Sequence, residues 1–284
     1  MIYPKNWKNY ELLDFGDGRK LERFGTIITD RPEPAATNKP QLSAAEWKTA
    51  SLFFSEEKGQ KGVWNTTTED WEIDYETGND SIHFHLRQTA FKHLGVFPEQ
   101  AANWEFIQQR CAEFQSKNIT PKVLNLFAYT GGASLAANKA GAEVTHVDSV
   151  KSVVNWARDN ATLSGIETIR WIVEDARKFV EKSVRRGDVY HGVILDPPIF
   201  GLGPKGKNWK LNRDLPELLQ QIMKILDPSN RFLILNTYSP QLPLSDLNKM
   251  LTSIKGFPNK YESTTLGLKS TSGKELELGN LIRF

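Results

Sequence analysis

From residue 121 onward, short apolar runs alternate with amphipathic stretches, and this alternation is the feature that most restricts the fold. Five of the runs predict strands, at residues 123–127, 143–148, 169–173, 191–195 and 231–235. The stretches between them have helical period, and several end at a glycine. Strands that alternate with helices form a parallel sheet covered by helices on both faces. The sequence therefore predicts a Rossmann-like, doubly wound, mostly parallel α/β sheet.

Two further strands are predicted near the end of the sequence, at residues 261–268 and 275–284. The link between them is too short for a parallel crossover. We therefore expect an antiparallel hairpin at the edge of the sheet.

The first ninety residues have a different pattern. Residues 11–20 and 71–75 alternate or turn in the manner of short strands, and prolines interrupt residues 31–34. This pattern predicts a small β-rich N-terminal domain over residues 1–90. The α/β domain then extends over residues 91–284.

Composition excludes several classes of protein. Hydrophobic residues make up 39% of the chain and charged residues 25%, with a net charge of +2, and no apolar run is long enough to cross a bilayer. The first eight residues contain no apolar signal core, so we expect a cytoplasmic protein. A single cysteine, Cys111, excludes an internal disulfide and a cysteine zinc cluster. The histidines lack metal-ligand spacing, so we expect no metal.

Glycines and acids stand at the carboxyl ends of the first four α/β strands. They are Tyr129-Thr130-Gly131-Gly132, Asp148, Asp175 and Asp196-Pro197-Pro198. In a doubly wound sheet the ligand lies beyond these ends. Asp148 is placed to accept hydrogen bonds from ribose hydroxyls, Asp175 can accept from an adenine amine, and glycines let the backbone approach a ligand. Taken singly, a helix cap or surface acid explains Asp148 and a tight turn explains the glycines. Together they predict a nucleoside pocket.

The loop after the first of these strands has neither G-x-G-x-x-G nor G-x-x-x-x-G-K. A nicotinamide dinucleotide or a nucleoside triphosphate is therefore disfavoured. The ligand class that remains contains adenosine without phosphate, and S-adenosylmethionine is its common member.

The stretch DPPIFGLGPKGKNWK, residues 196–210, follows the fourth strand. Its two prolines hold the chain extended. Asp196, Pro197, Pro198 and Phe200 form a candidate catalytic wall, in which the acid accepts from a base amine and the ring stacks on the base. Cations and an aromatic residue then interleave as on a nucleic-acid surface, although a plain exposed loop is the alternative. The candidate RNA-binding residues are Lys205, Lys207, Trp209, Lys210 and Arg213.

Several motifs together resemble one known family. They are NLFAYTGGAS at 125–134, HVD at 146–148, NWA at 155–157 and LDPPIFG at 195–201, with GRKLERFG at 18–25 and GVFPEQAANW at 95–104 upstream. These motifs resemble class I S-adenosylmethionine-dependent methyltransferases related to bacterial 23S rRNA methyltransferases. The resemblance implies that Asp148 holds the ribose, that Asp175, with Ala176 beside it, holds the adenine, and that Gln100 and Asp196 lie near the cofactor. It also implies that the methionine part is cradled by Phe127, Ala128, Tyr129, Thr130, Gly131 and Gly132.

The expected function is methylation of a base in ribosomal or other structured RNA. Some relatives methylate carbon 5 of cytosine, which requires a cysteine nucleophile. Here the fourth and fifth strand ends contain no cysteine, and Cys111 lies in a predicted helix. A nitrogen acceptor is therefore favoured. Two alternatives stay open: a methyltransferase acting on a small molecule or protein, and a non-catalytic module that binds nucleoside or RNA.

Overall fold

The computed structural model describes residues 1–5, 7–57, 61–78, 80–201 and 208–284. The chain divides into two compact units. The first contains Met1–Ala102 and Gly267–Leu278, and the second contains Asn103–Leu266 and Gly279–Phe284. The boundary between residues 90 and 91 that the sequence predicts stays a prediction.

The secondary structure elements follow in chain order. The strands are β1 (Tyr10–Gly16), β2 (Arg19–Phe24), β3 (Ile27–Pro32), β4 (Leu52–Glu56), β5 (Gly62–Trp64), β6 (Trp71–Thr77), β7 (Asp80–Leu86), β8 (Lys122–Leu126), β9 (Glu143–Asp148), β10 (Arg170–Val173), β11 (Gly192–Leu195), β12 (Phe200–Gly201), β13 (Trp209–Lys210), β14 (Phe232–Thr237), β15 (Glu262–Lys269) and β16 (Glu275–Arg283). The α-helices are α1 (Ala44–Trp47), α2 (Ala101–Gln115), α3 (Gly132–Lys139), α4 (Lys151–Leu163), α5 (Ala176–Arg186), α6 (Leu211–Ile225) and α7 (Leu244–Thr252), and Pro98–Gln100 forms a 3₁₀ turn.

The first unit is rich in β-structure, as the sequence predicts. Strands β1 to β5 form one sheet in sequence order, and β6 pairs with β7 in a separate ribbon. The β1–β2 hairpin turns on Asp17 and Gly18, whose φ angles are 50° and 79°. An Asp-Gly pair favours such a turn because its twist matches that of the flanking strands.

The second unit is built on the predicted parallel sheet. The full seven-stranded sheet has the order β10-β9-β8-β11-β14-β16-β15. Strands β8, β9, β10, β11 and β14 run parallel to their neighbours in this group, and β16 pairs antiparallel with β14. The predicted hairpin is thus at the sheet edge, with its second strand inside and β15 outermost. Every residue of β11 and of β14 is buried, as expected for strands covered on both faces.

The strand order determines where a ligand can bind. The chain moves outward from β8 through β9 to β10, then returns to the other side of β8 at β11. The crevice of a doubly wound sheet opens at such a reversal, beyond the carboxyl ends of the strands. The loops after β8 and β11 therefore face the same site. Among the described residues, we find no helix with the length and apolar content that crossing a membrane requires.

Candidate active site

The loop after β8, residues 127–132, is named here the cleft loop and has a strained backbone. Phe127 and Tyr129 have left-handed φ angles of 54° and 48°, and Gly131 follows at 92°. A residue with a Cβ atom has a steric cost in this region. Such conformations persist only where the surrounding structure holds them, and they concentrate at ligand sites.

Hydrogen bonds from neighbouring elements hold the cleft loop. The Tyr129 N–H donates to Asp148 Oδ2 over 3.0 Å. From α4, the Asn160 side chain donates to the Thr130 carbonyl over 2.9 Å. The shape of the loop thus depends on contacts with β9 and α4, not on its own sequence alone.

The two glycines of the cleft loop serve packing within the protein. A Cβ atom on Gly132 would lie 2.6 Å from the Trp104 ring, and one on Gly131 would lie 3.2 Å from Ala157 Cβ. The sequence predicts that these glycines allow close approach of a ligand, and that role stays a prediction. The structure adds a packing requirement, because a side chain from α2 fills the space beside Gly132.

A buried polar group lies behind the cleft loop. Asn125 donates to Ser134 Oγ over 2.9 Å, and Ser134 Oγ is hydrogen-bonded to His146 Nδ1 at 3.0 Å. Burial, with a smaller contribution from Arg158, lowers the pKa of His146 to about 3. His146 is therefore neutral at physiological pH and joins β9 to the first turn of α3.

Asp148 ends β9, and its carboxylate accepts backbone hydrogen bonds from the cleft loop and from residues that follow β9. Its Oδ2 accepts from Tyr129 N–H, and its Oδ1 accepts from Val150 N–H at 2.9 Å. Burial raises the pKa of this carboxyl, and the backbone hydrogen bonds oppose that rise without cancelling it. The N-cap of α4 is Val150, not Asp148. An ionised carboxylate has about four acceptor sites, so Asp148 can still accept a hydrogen bond from a ribose hydroxyl.

Asp175 is the N-cap of α5, where its side chain accepts from the N–H groups of Arg177 and Lys178. The Arg177 guanidinium also contacts Asp175 Oδ2 at 3.1 Å. Burial alone would raise the pKa of Asp175, but the hydrogen bonds outweigh it and the pKa is lowered. The N–H of Ala176 lies at the first helical position, which has no intrahelical acceptor. Carboxylate and N–H together present an acceptor and a donor, as one edge of an adenine requires.

Residues 196–201, named here the proline segment, follow β11 and lead into β12. Asp196 is half-buried, Pro197 is buried and Pro198 is exposed. Phe200 is 65% exposed. The segment is held by pairing of β12 with β13, in which Phe200 is opposite Lys210. An acid and an exposed ring thus stand at the reversal point of the sheet.

Trp209 differs from its predicted environment. The sequence predicts this ring in a loop that faces RNA, whereas the ring is only 4% exposed. Its indole N–H donates to the Pro198 carbonyl over 2.6 Å, and its ring centroid lies 5.1 Å from that of Phe127. A buried indole is favoured where its N–H finds an acceptor and its ring finds apolar contacts.

The remaining predicted substrate residues have varied surroundings. Lys210 and Arg213 are exposed, but the Arg213 guanidinium is held by Asp214 Oδ1 at 2.7 Å and by the Asn208 carbonyl at 2.6 Å. Lys205 and Lys207 lie outside the described residues. Their RNA-binding roles stay predictions. The same is true of the cofactor role of Gln100, which ends the 3₁₀ turn of the first unit.

A cleft in the second unit brings several predicted residues together. This strand-end cleft is lined by Phe127, Val147, Asp148, Ser149, Glu174, Asp175, Ala176, Arg177, Pro198, Gly201 and Trp209. The cleft also contains Trp209, which the sequence predicted in a loop that faces RNA, and several residues that were not predicted. The unpredicted residues are Val147, Ser149, Glu174, Arg177 and Gly201. Ser149 and Glu174 flank the acids of two strand ends in the sequence, so adjacency to those acids is the pattern that would have found them.

The lining of the strand-end cleft fits adenosine. Two carboxylates stand at the ends of adjacent strands, where Val173 is paired in register with Asp148. Phe127, Pro198 and Trp209 supply apolar surface for a purine. Sheet order and cleft together define a doubly wound α/β domain with a cleft at its strand ends, which is where such domains take a nucleotide or nucleoside ligand.

The comparisons with known proteins identify the family. A model of the S-adenosylmethionine-dependent methyltransferase family matches residues 63–245, which is more than half of the chain. The chain belongs to this family, it is an enzyme, and its cofactor is S-adenosylmethionine. A crystal structure of a SAM-dependent methyltransferase from Agrobacterium tumefaciens has a TM-score of 0.89 and 34% identity, covering 99% of this chain and 91% of that one.

Curated relatives are longer than this chain. Ribosomal RNA large subunit methyltransferase K/L of Shewanella frigidimarina is 29% identical over 157 residues, which is 54% of this chain and 21% of that protein. The protein of the same name from Shewanella amazonensis is 31% identical over 157 residues, again 54% of this chain and 21% of that protein. The chain thus spans about a fifth of the length of these relatives.

Proposed function

We propose that this enzyme methylates a nitrogen atom of a base in structured RNA, with ribosomal RNA as the favoured substrate. The observation that carries the proposal is the proline segment, where Phe200 is 65% exposed shortly after Asp196. Exposed rings stack on bases that have left their helix, and a carboxylate accepts hydrogen bonds from a base amine. Asp196 and Phe200 both follow β11, the strand at which the strand order reverses around β8.

Methyl transfer requires mainly that the protein position the acceptor atom against the methyl group of the cofactor. S-adenosylmethionine, when bound, supplies an electrophilic methyl group on a positively charged sulfur. The protein holds the acceptor nitrogen in line with that group. Phe200 fixes the plane of the base, Pro197 and Pro198 fix the backbone, and Asp196 accepts a hydrogen bond that directs the nitrogen. The proton that the nitrogen loses passes to Asp196 or to water.

The environment of Cys111 supports a nitrogen atom, and not carbon 5 of cytosine, as the atom that is methylated. This cysteine lies in α2 and is fully buried. Burial, only partly opposed by Arg110, raises the pKa of its thiol to about 12. A thiol of that pKa is not a thiolate at neutral pH, so it cannot add to a cytosine ring to activate carbon 5 for methylation.

The names of the curated relatives support RNA as the substrate class. Both relatives described above are large-subunit rRNA methyltransferases. Their shared region covers about half of this chain. The proposal of RNA as the substrate class therefore rests on these names together with the proline segment.

The test is methyl transfer from labelled cofactor to separate RNA, protein and metabolite fractions of a cell extract. We expect label in RNA, and mass spectrometry of the digested RNA should show an N-methylated nucleoside. Label in protein or metabolites, cofactor binding without transfer to any fraction, or 5-methylcytidine as product would each contradict the proposal.

A paired substitution tests the role of the exposed ring. Phe200→Ala should lower kcat/KM for RNA by about 5- to 150-fold, because stacking of one base on an aromatic ring contributes about 1–3 kcal/mol. Affinity for S-adenosylhomocysteine should stay unchanged. Val189→Ala is the matched control, since Val189 is also an exposed apolar residue, 50% accessible, but precedes β11 instead of following it.

A further inference from the structure

Arg177 connects two carboxylates on different helices of the second unit. Its guanidinium lies 3.1 Å from Asp175 Oδ2 and 3.4 Å from Asp214 Oδ2. Asp175 caps α5 and lines the strand-end cleft, whereas Asp214 lies in the first turn of α6. The cleft is thereby linked to the chain segment that enters α6.

Asp214 holds that segment, residues 208–214, which is named here the return segment. Its Oδ2 accepts from the Lys210 N–H at 2.8 Å, and its Oδ1 accepts from Arg213 Nε at 2.7 Å. Arg213 in turn donates to the Asn208 carbonyl at 2.6 Å. One carboxylate therefore fixes the segment along its length.

The return segment also forms part of the cofactor and acceptor surfaces. Trp209 lines the strand-end cleft, and the Arg177 guanidinium lies 5.7 Å from the centroid of its ring. Lys210 pairs with Phe200 across the β12–β13 ribbon, and the Leu211 N–H donates to the Ile199 carbonyl over 3.0 Å. A shift of the return segment therefore moves both the wall of the cleft and the proline segment.

We propose that Arg177 is a positioning residue that couples occupancy of the adenine end of the strand-end cleft to the position of the return segment. The side chains of Arg177 and Asp214 are now 24% and 13% exposed. A purine placed against Asp175 and Trp209 excludes water beside this ion pair, and an ion pair strengthens as the local dielectric constant falls. The stronger pair holds the return segment, and with it Phe200, ready for the methyl acceptor. This inference rests on the proposed adenine position at Asp175 but not on RNA as the substrate.

Hydrogen–deuterium exchange with S-adenosylhomocysteine as the probe tests the coupling without any RNA. In the parent, saturating probe should slow exchange of the Lys210 and Leu211 amides by about tenfold, within the range of typical coupling between sites. In Asp214→Asn that protection should fall below about twofold. Because coupling is reciprocal, affinity for the probe should fall by a similar factor.

Three further variants make the result specific. Asp214→Glu restores the charge and should recover part of the protection. Arg177→Lys keeps a positive charge without the planar fork, so it should lose protection as well and can replace Asp214→Asn if that variant does not fold. Asp246→Asn is the matched control, because Asp246 is the acid in the first turn of α7 and pairs with Lys249 at 3.1 Å. It should behave as the parent.

Equal protection of the parent, Asp214→Asn and Arg177→Lys would overturn the proposal, as would probe binding to the parent without protection of the return segment. A parent that fails to bind the probe would overturn the placement of the cofactor itself. Failure to methylate RNA, with the exchange results as expected, would instead contradict only the proposed substrate.

Discussion

Replacing Asp148 with alanine should weaken cofactor binding. The proposed site loses the carboxylate that accepts from ribose hydroxyls, and the N–H groups of Tyr129 and Val150 lose the acceptor they have at 3.0 and 2.9 Å. A hydrogen bond to a charged group contributes about 1.5–3 kcal/mol, and a lost neutral one about 0.5–1.5 kcal/mol. Because water replaces part of each bond, we expect a net loss of about 1–3 kcal/mol, or about 5- to 150-fold in Kd.

Calorimetric titration with S-adenosylhomocysteine measures this loss directly. Asp148→Asn should have a smaller effect, because the amide oxygen still accepts while the charge is gone. Asp188→Ala is the control: Asp188 pairs with Arg186 and lies before β11, away from the strand-end cleft. If Asp148→Ala binds the probe as tightly as the parent, the ribose does not lie at Asp148 and the reasoning is refuted.

The same carboxylate gives the binding a pH dependence of known sign. Ribose hydroxyls donate to the ionised form, so affinity should fall as the pH falls through the pKa of Asp148. Burial raises that pKa, so the loss begins at a higher pH than for an exposed aspartate. Without ligand, the raised pKa means that the folded state binds the proton more firmly than the unfolded state. This carboxyl therefore stabilises the fold at low pH, and the contribution is lost as the pH rises through the folded-state pKa.

Three other variants test separate parts of the structure. Gly132→Ala should lower the free energy of unfolding by about 1–3 kcal/mol in a denaturant titration, since its new Cβ would lie 2.6 Å from an indole ring; unchanged stability would show that the contact is easily relaxed. Cys111→Ser should keep full methyl-transfer activity. A variant that folds but is inactive would instead indicate that Cys111 is a nucleophile for methylation at carbon 5 of cytosine. Replacing three lysines with glutamate should weaken RNA binding and flatten its salt dependence while cofactor affinity stays constant, and an unchanged salt slope would remove them from the interface. These lysines are Lys205, Lys207 and Lys210.

The elements of the α/β sheet were predictable because local patterns determine them. Strands buried on both faces appear as continuous apolar runs, and the stretches between them have the helical period that indicates the covering helices. The acids of the site were predictable for a related reason. Asp148 is the last residue of one such run and Asp175 comes two residues after another, and the topology then brings them to one edge of the sheet.

Contacts between residues that are distant in the sequence could not be predicted from local patterns. The burial of Trp209 depends on Phe127, more than eighty positions earlier. The bridge made by Arg177 depends on Asp214, which enters from another helix. The left-handed backbone of Phe127 and Tyr129 has no compositional mark, because glycine or asparagine would normally indicate it and neither is present.

In the cleft loop, substitutions that raise thermal stability are expected to lower methyl-transfer activity. Glycine at position 127 or 129 would relieve about 1–2 kcal/mol of left-handed strain, part of which is offset by the greater freedom of the unfolded chain. Each such change would also delete a side chain, and at position 127 that side chain is the ring that packs on Trp209. Selection for thermal stability alone should therefore collect glycines in this loop, whereas selection that also demands methyl transfer should reject them and place its stabilising changes elsewhere.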